Sequence, residues 1–97
     1  MILNIDQSFK LYKLLDPFVP ETIENEDIVD FSSTILDRII QANEHEKFLH
    51  IGMLITNKKA EEILVMDMNE FIPELITTFS ENSIYELIMF YRGLNNG

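Results

Sequence analysis

Asp27-Ile28-Val29-Asp30-Phe31-Ser32-Ser33-Thr34-Ile35-Leu36-Asp37-Arg38-Ile39-Ile40 is the stretch on which the fold class turns. Its large apolar residues Ile28, Phe31, Ile35, Leu36, Ile39 and Ile40 follow one another at intervals of 3, 4, 1, 3 and 1. A strand alternates apolar and polar with period two, whereas this spacing paints one stripe down a helix. Asp27 or Asn25 supplies a short side-chain oxygen to accept an orphan backbone N–H at its start. The pattern predicts a helix near 27–43.

Working outward, Phe48, Leu49, Ile51, Met53, Leu54 and Ile55 leave a segment over about 45–56 with little polar surface, as expected of a central helix. Gly52 sits inside it at a propensity cost of about 1 kcal/mol relative to Ala, which close approach of a neighbour would offset. Thr56-Asn57 offers a stop. Lys58 to Met66 reads as a short helix. Asp67-Met68-Asn69-Glu70 has capping-box spacing, and Met68, Phe71, Ile72, Leu75, Ile76 and Phe79 follow at helical intervals. Pro73 implies either a kink or a helix that starts nearer to it. Ser83-Ile84-Tyr85-Glu86 is a second capping box, ahead of a face made by Ile84, Leu87, Ile88 and Tyr91. Arg92 and Gly93 suit the end of that helix, and Asn95-Asn96-Gly97 reads as a flexible tail. Before residue 24, Ser8 to Leu15 reads as a short helix stopped by Asp16-Pro17, with Pro17 to Pro20 extended. Met1 to Ile5 is an alternative edge strand. The expected architecture is all-α, one compact bundle of four to six helices in a single domain.

Composition narrows the function classes. The chain has 97 residues, 17 Asp+Glu against 7 Lys+Arg, and a formal charge of −10. Such a surface repels a nucleic-acid backbone and an anionic membrane. No run approaches the roughly 18 apolar residues of a membrane span, and the first residues lack a basic n-region. The reading is therefore a soluble cytoplasmic protein with neither nucleic acid nor membrane as partner. Cys is absent, which removes disulfides, thiolate metal sites and thiol nucleophiles.

No catalytic constellation emerges. His45 and His50 stand five apart, whereas the helical zinc-protease motif needs two His four apart to face one metal. Three Gly give no phosphate-cradling loop. Ser32-Ser33-Thr34 falls mid-helix with no His base beside it and reads as a solvent face. Neither enzyme activity, metal nor cofactor is expected.

Two features remain. Asp16, Glu21, Glu24, Glu26, Asp27, Asp30 and Asp37 follow one another with no Lys or Arg between them. They form a solvated face with helix-start acids or, with Glu24, Glu26, Asp27 and Asp30 at its centre, a docking face for a basic partner. Fourteen Ile, eleven Leu, seven Phe and five Met accompany two Ala. These make a dense core, or else leave part of the stripe as a groove or oligomer seam, where Met53, Met66, Met68 and Met89 would adapt to a partner.

From Lys13 to Leu94 the chain resembles a known family. Leu14-Leu15-Asp16-Pro17-Phe18-Val19-Pro20 precedes the long helix ending at Ile39-Ile40. Phe71-Ile72-Pro73-Glu74-Leu75-Ile76-Thr77-Thr78-Phe79 is followed by Ser80-Glu81-Asn82 and then Leu87-Ile88-Met89-Phe90-Tyr91. Size, acidity, helix order and aromatic placement are similar to the small all-helical tail assembly chaperones of long-tailed bacteriophages and prophages. The resemblance implies a non-enzymatic chaperone that coats a long helical tape-measure protein before the tail tube forms. It also implies a frameshifted longer form that recruits tail-tube subunits. Helix-in-groove binding would use Phe71, Phe79, Leu87, Phe90 and Tyr91 as anchors. The alternatives are a small acidic inhibitor that occupies the nucleic-acid site of an enzyme, and a homo-oligomeric structural adaptor.

Overall fold

The computed structural model describes residues 2–20 and 27–96, with side chains through Gly93. Among the described residues there are six α-helices and no strand: α1 Ile5–Leu15, α2 Ile28–Gln41, α3 His45–Thr56, α4 Ala60–Leu64, α5 Met68–Glu81 and α6 Ile84–Asn96. A 3-10 turn, Asp16–Phe18, follows α1. The architecture is the expected all-α bundle. Its radius of gyration is 12.9 Å, close to the roughly 12.5 Å of a compact chain this long.

α3 is the hub, packing against α1, α2, α4 and α5. Gly52 is what lets α4 and α5 close on it. A Cβ built there would lie 3.0 Å from Ile63 Cγ2 and 3.2 Å from Phe71 Cε2, so the missing methyl is the space those side chains use. Around this hub lies one core that joins Leu11 and Leu15, Phe31, Ile35 and Ile39, Ile51 and Ile55, Phe71, Leu75 and Phe79, and Ile84 and Ile88. Phe31 meets Tyr85 edge-on at 5.2 Å between ring centroids, and Phe48 lies 4.9 Å from Phe71. Each buried Phe removes enough apolar surface from water to stabilise the fold by about 1.5–3 kcal/mol.

Local chemistry sets the helix ends. Asp27 Oδ1 accepts the Asp30 N–H at 2.8 Å, so Asp27 is the cap of α2, which begins one residue later. Asp67 caps α5 through the Asn69 N–H. Asn57, with φ 58°, ends α3 in the left-handed conformation that Asn tolerates better than most residues. Asn25 lies outside the described residues.

Several boundaries differ from expectation. α1 starts at Ile5 rather than Ser8, because Asn4 and Gln7 form a reciprocal capping box. Residues 2–4 before it form no strand. Instead the Leu3 N–H donates to Asn82 Oδ1 at 2.7 Å and ties the N-terminal segment to the α5–α6 turn. α4 is shorter than Lys58 to Met66. α5 runs unbroken through the exposed Pro73. Ser83 has φ 51°, left-handed rather than the extended backbone of an N-cap. Gly93 lies inside α6 rather than after it, and the backbone of Asn95 and Asn96 is helical; Gly97 lies outside the described residues. Ser32 is buried rather than solvent-facing, and its hydroxyl donates to the Ile28 carbonyl at 2.7 Å, while Ser33 is exposed.

Candidate partner-binding surface

The helical phase of α1 separates its side chains into three directions. Leu11 and Leu15 point into the core. Ile5, Phe9 and Tyr12 recur at intervals of four and three and share a second face. Lys10, Lys13 and Leu14 occupy a third. On α6, Ile84 and Ile88 enter the core, which turns Tyr91 toward α1 and Phe90 toward solvent.

The second face of α1 and the outer side of α6 meet in an aromatic edge. Tyr91 stacks on Tyr12 at 4.6 Å, and Phe9 meets Tyr91 edge-on at 5.6 Å. Phe90 extends the row with a T-shaped contact to Tyr91 at 6.2 Å. Phe9 is 42% exposed, Phe90 62% and Ile5 76%. Exposed aromatic side chains joined in a row are the form that partner-binding hot spots take, because rigid rings bury much area at little entropic cost.

Arg92 holds the far end of this edge. Its guanidinium donates to the Val19 carbonyl at 3.0 Å and to the Pro20 carbonyl, and lies 3.8 Å from Asp16 Oδ1. It therefore ties α6 to the segment after α1 instead of serving the end of its own helix. Burial raises the Tyr12 hydroxyl above the usual tyrosine range, and the Asp16 carboxylate adds to that shift against an opposing effect of Arg92.

The structure sorts the five expected anchors. Phe71 (2% exposed) and Phe79 (0%) are core residues, because α5 turns them inward against α3 and α2. Neither ring is presented at the surface of this fold. Leu87 is half-buried against the core. Tyr91 is half-buried under Phe9 and Phe90, and only Phe90 of the five projects into solvent. Ile5 and Phe9 join the exposed edge without being among those five. Their signal was the Ile5-Phe9-Tyr12 spacing, which points away from the Leu11-Leu15 stripe and becomes legible once Asn4 is read as the cap. Of the acidic residues, Asp27 and Asp30 are exposed at the start of α2, and Glu24 and Glu26 lie outside the described residues. Met53, Met68 and Met89 are exposed and Met66 is half-buried against the core.

His45 and His50 are both exposed, and among the described residues no three His, Cys, Asp or Glu side chains are placed to hold one metal ion. No helix among them is long and apolar enough to cross a membrane. Comparison with protein-family models, with curated proteins and with solved structures finds no match for the chain.

Proposed function

We propose that this protein is a non-enzymatic assembly chaperone of the phage-tail kind that its sequence resembles, acting in the cytoplasm of the producing or infected bacterial cell. Its client is a long helical tape-measure-type protein, with tail-tube subunits as a second partner. The carrying observation is the aromatic edge of Phe9, Phe90 and Tyr91, flanked by Ile5. A holdase must present apolar side chains to a helical client and stay dispersed while doing so, and a charge of −10 serves the second need. Neither cofactor, nucleic acid nor membrane enters this reading, and self-association through the same edge is compatible with it.

The test is a tagged pull-down from producing cells, with the Phe9→Ser/Phe90→Ser pair and an Asp27→Lys/Asp30→Lys pair run beside the parent. Recovery of a very long helix-rich protein together with tube subunits, lost in the Phe→Ser pair and kept in the charge-reversed pair, is the expected result. Recovery of a nuclease or polymerase that is lost only on charge reversal would replace this reading with the acidic inhibitor. Recovery of the chain alone would favour a self-assembling structural role.

A further inference from the structure

The third face of α1 leads to a separate site. Lys10, Lys13 and Leu14 of α1 and His50, Met53 and Leu54 of α3 line a groove of about 460 Å³, within the size range of small-molecule pockets. Leu14 and Leu54 are half-buried, and the flexible thioether of Met53 is open to solvent. The lining is thus almost entirely apolar, made by Leu14, Met53 and Leu54 together with side chains of two lysines and a histidine.

Its charge runs against the composition of the chain. With 17 acids to 7 Lys+Arg, hollows on this surface should collect carboxylates, and three others do. Glu44 lines one of about 330 Å³ beside α3, Asp37 one of about 230 Å³ between α2 and α5, and Glu74 one of about 260 Å³ beside α5. Among the described residues, no carboxylate lines the α1–α3 groove. Lys10 pairs with Asp6 at 3.0 Å, with both side chains largely in solvent, a weak pair by nature. Among the described residues Lys13 makes no ion pair.

Size and charge together select the occupant. Each wall spans five residues, Lys10–Leu14 and His50–Leu54, about 6 Å along a helix axis. A partner helix docks through anchors at i, i+3 or i+4, and i+7, which needs about 10 Å. A polyanion would also meet the repulsion of the whole −10 surface, whereas a single carboxylate feels chiefly the local lysines. We propose that this groove binds a free medium-chain carboxylate, its alkyl chain on Leu14, Met53 and Leu54 and its carboxylate at Lys13 and Lys10. The site stands apart from the aromatic edge and does not depend on the chaperone reading.

The test is an amide chemical-shift titration of the full chain with sodium octanoate below its micelle concentration, with 1-octanol as the neutral comparator. Saturable shifts confined to residues 10–14 and 50–54 are expected, with octanoate bound about tenfold more tightly than octanol. Lys13→Glu, an exposed change, should weaken octanoate about tenfold, and Lys10→Glu/Lys13→Glu should bind octylammonium instead. Shifts that do not saturate or that centre on Phe9 and Phe90, equal binding of octanol, or an unchanged Lys13→Glu variant would each overturn the proposal. So would shifts of the same amides on raising the protein concentration without ligand, which would assign the groove to a second copy.

Discussion

Two glycines in this chain should answer the same substitution with opposite signs. Gly52 lies in α3 and Gly93 in α6, neither with positive φ, so Ala fits the backbone of both. Replacing a helical Gly by Ala gains up to about 1 kcal/mol from propensity and a less flexible unfolded chain. At Gly93 a new Cβ meets nothing within 4 Å, so that gain is kept, reduced to about 0.5 kcal/mol by its place near the helix end. At Gly52 the new Cβ meets Ile63 Cγ2 at 3.0 Å and Phe71 Cε2 at 3.2 Å. Neither neighbour can swing aside, since Ile63 is β-branched and buried, and the Phe71 ring is buried against Phe48. Overpacking of this kind costs about 1–3 kcal/mol, which outweighs the gain and leaves Gly52→Ala destabilised by about 1 kcal/mol. Thermal unfolding followed by far-UV circular dichroism resolves this, because 1 kcal/mol moves Tm by about 4–8 °C in a domain of this size. Gly93→Ala should rise by a few degrees and Gly52→Ala should fall. If Gly52→Ala is stabilised as much as Gly93→Ala, α4 and α5 do not close on α3 as described, and the reasoning fails.

Phe90→Ser should leave urea-unfolding stability within about 0.5 kcal/mol of the parent, whereas Phe79→Ala should cost about 3–5 kcal/mol by opening a cavity between α2 and α5. Equal losses in the two would place Phe90 in the core. Arg92→Met should cost about 2–4 kcal/mol, since it leaves the Val19 and Pro20 carbonyls without their cationic donor, and Arg92→Lys should rescue only part because it lacks the two-pronged fork. Full rescue by Lys would show that charge alone, not the paired carbonyl contacts, holds the segment. Tyr12 carries a pH signature: its hydroxyl titrates above the ordinary value of 10.0, so the folded state favours the protonated form. That contribution is complete below the ordinary value and is lost as pH rises through the raised one. Stability of the parent should therefore fall above about pH 10 more steeply than that of Tyr12→Phe, and parallel curves would refute the burial of this hydroxyl.

The stripe Ile28-Phe31-Ile35-Ile39 fixed a helix by itself, because only a period of 3.6 brings those residues together, and three of the four are buried. The span 45–56 and the stop at Asn57 were equally readable, since density of apolar residues and a left-handed Asn are local signals. The need for a close neighbour at Gly52 was also written in the chain, though not that Ile63 and Phe71 fill the space. Ser83 and Gly93 depart from expectation because capping residues state a preference worth only about 1 kcal/mol, too little to fix a helix end by itself.

Which aromatics serve the core and which face outward could not be read from spacing. Phe71, Phe79 and Phe90 all sit on amphipathic helices, and one residue of rotation, about 100°, separates a buried ring from a presented one. That rotation is set by what each helix packs against: α3 and α2 take the α5 rings inward, while α6 spends Ile84 and Ile88 on the core and leaves Phe90 outside. The pairing of Phe9 with Tyr91, the reach of Arg92 to Val19 and the groove between α1 and α3 join residues far apart in sequence. The chain alone thus determined helices, charge and the amount of apolar surface to be buried. Tertiary packing decided which of that surface stays exposed, because burial is a property of neighbours, and sequence spacing specifies a face without naming what covers it.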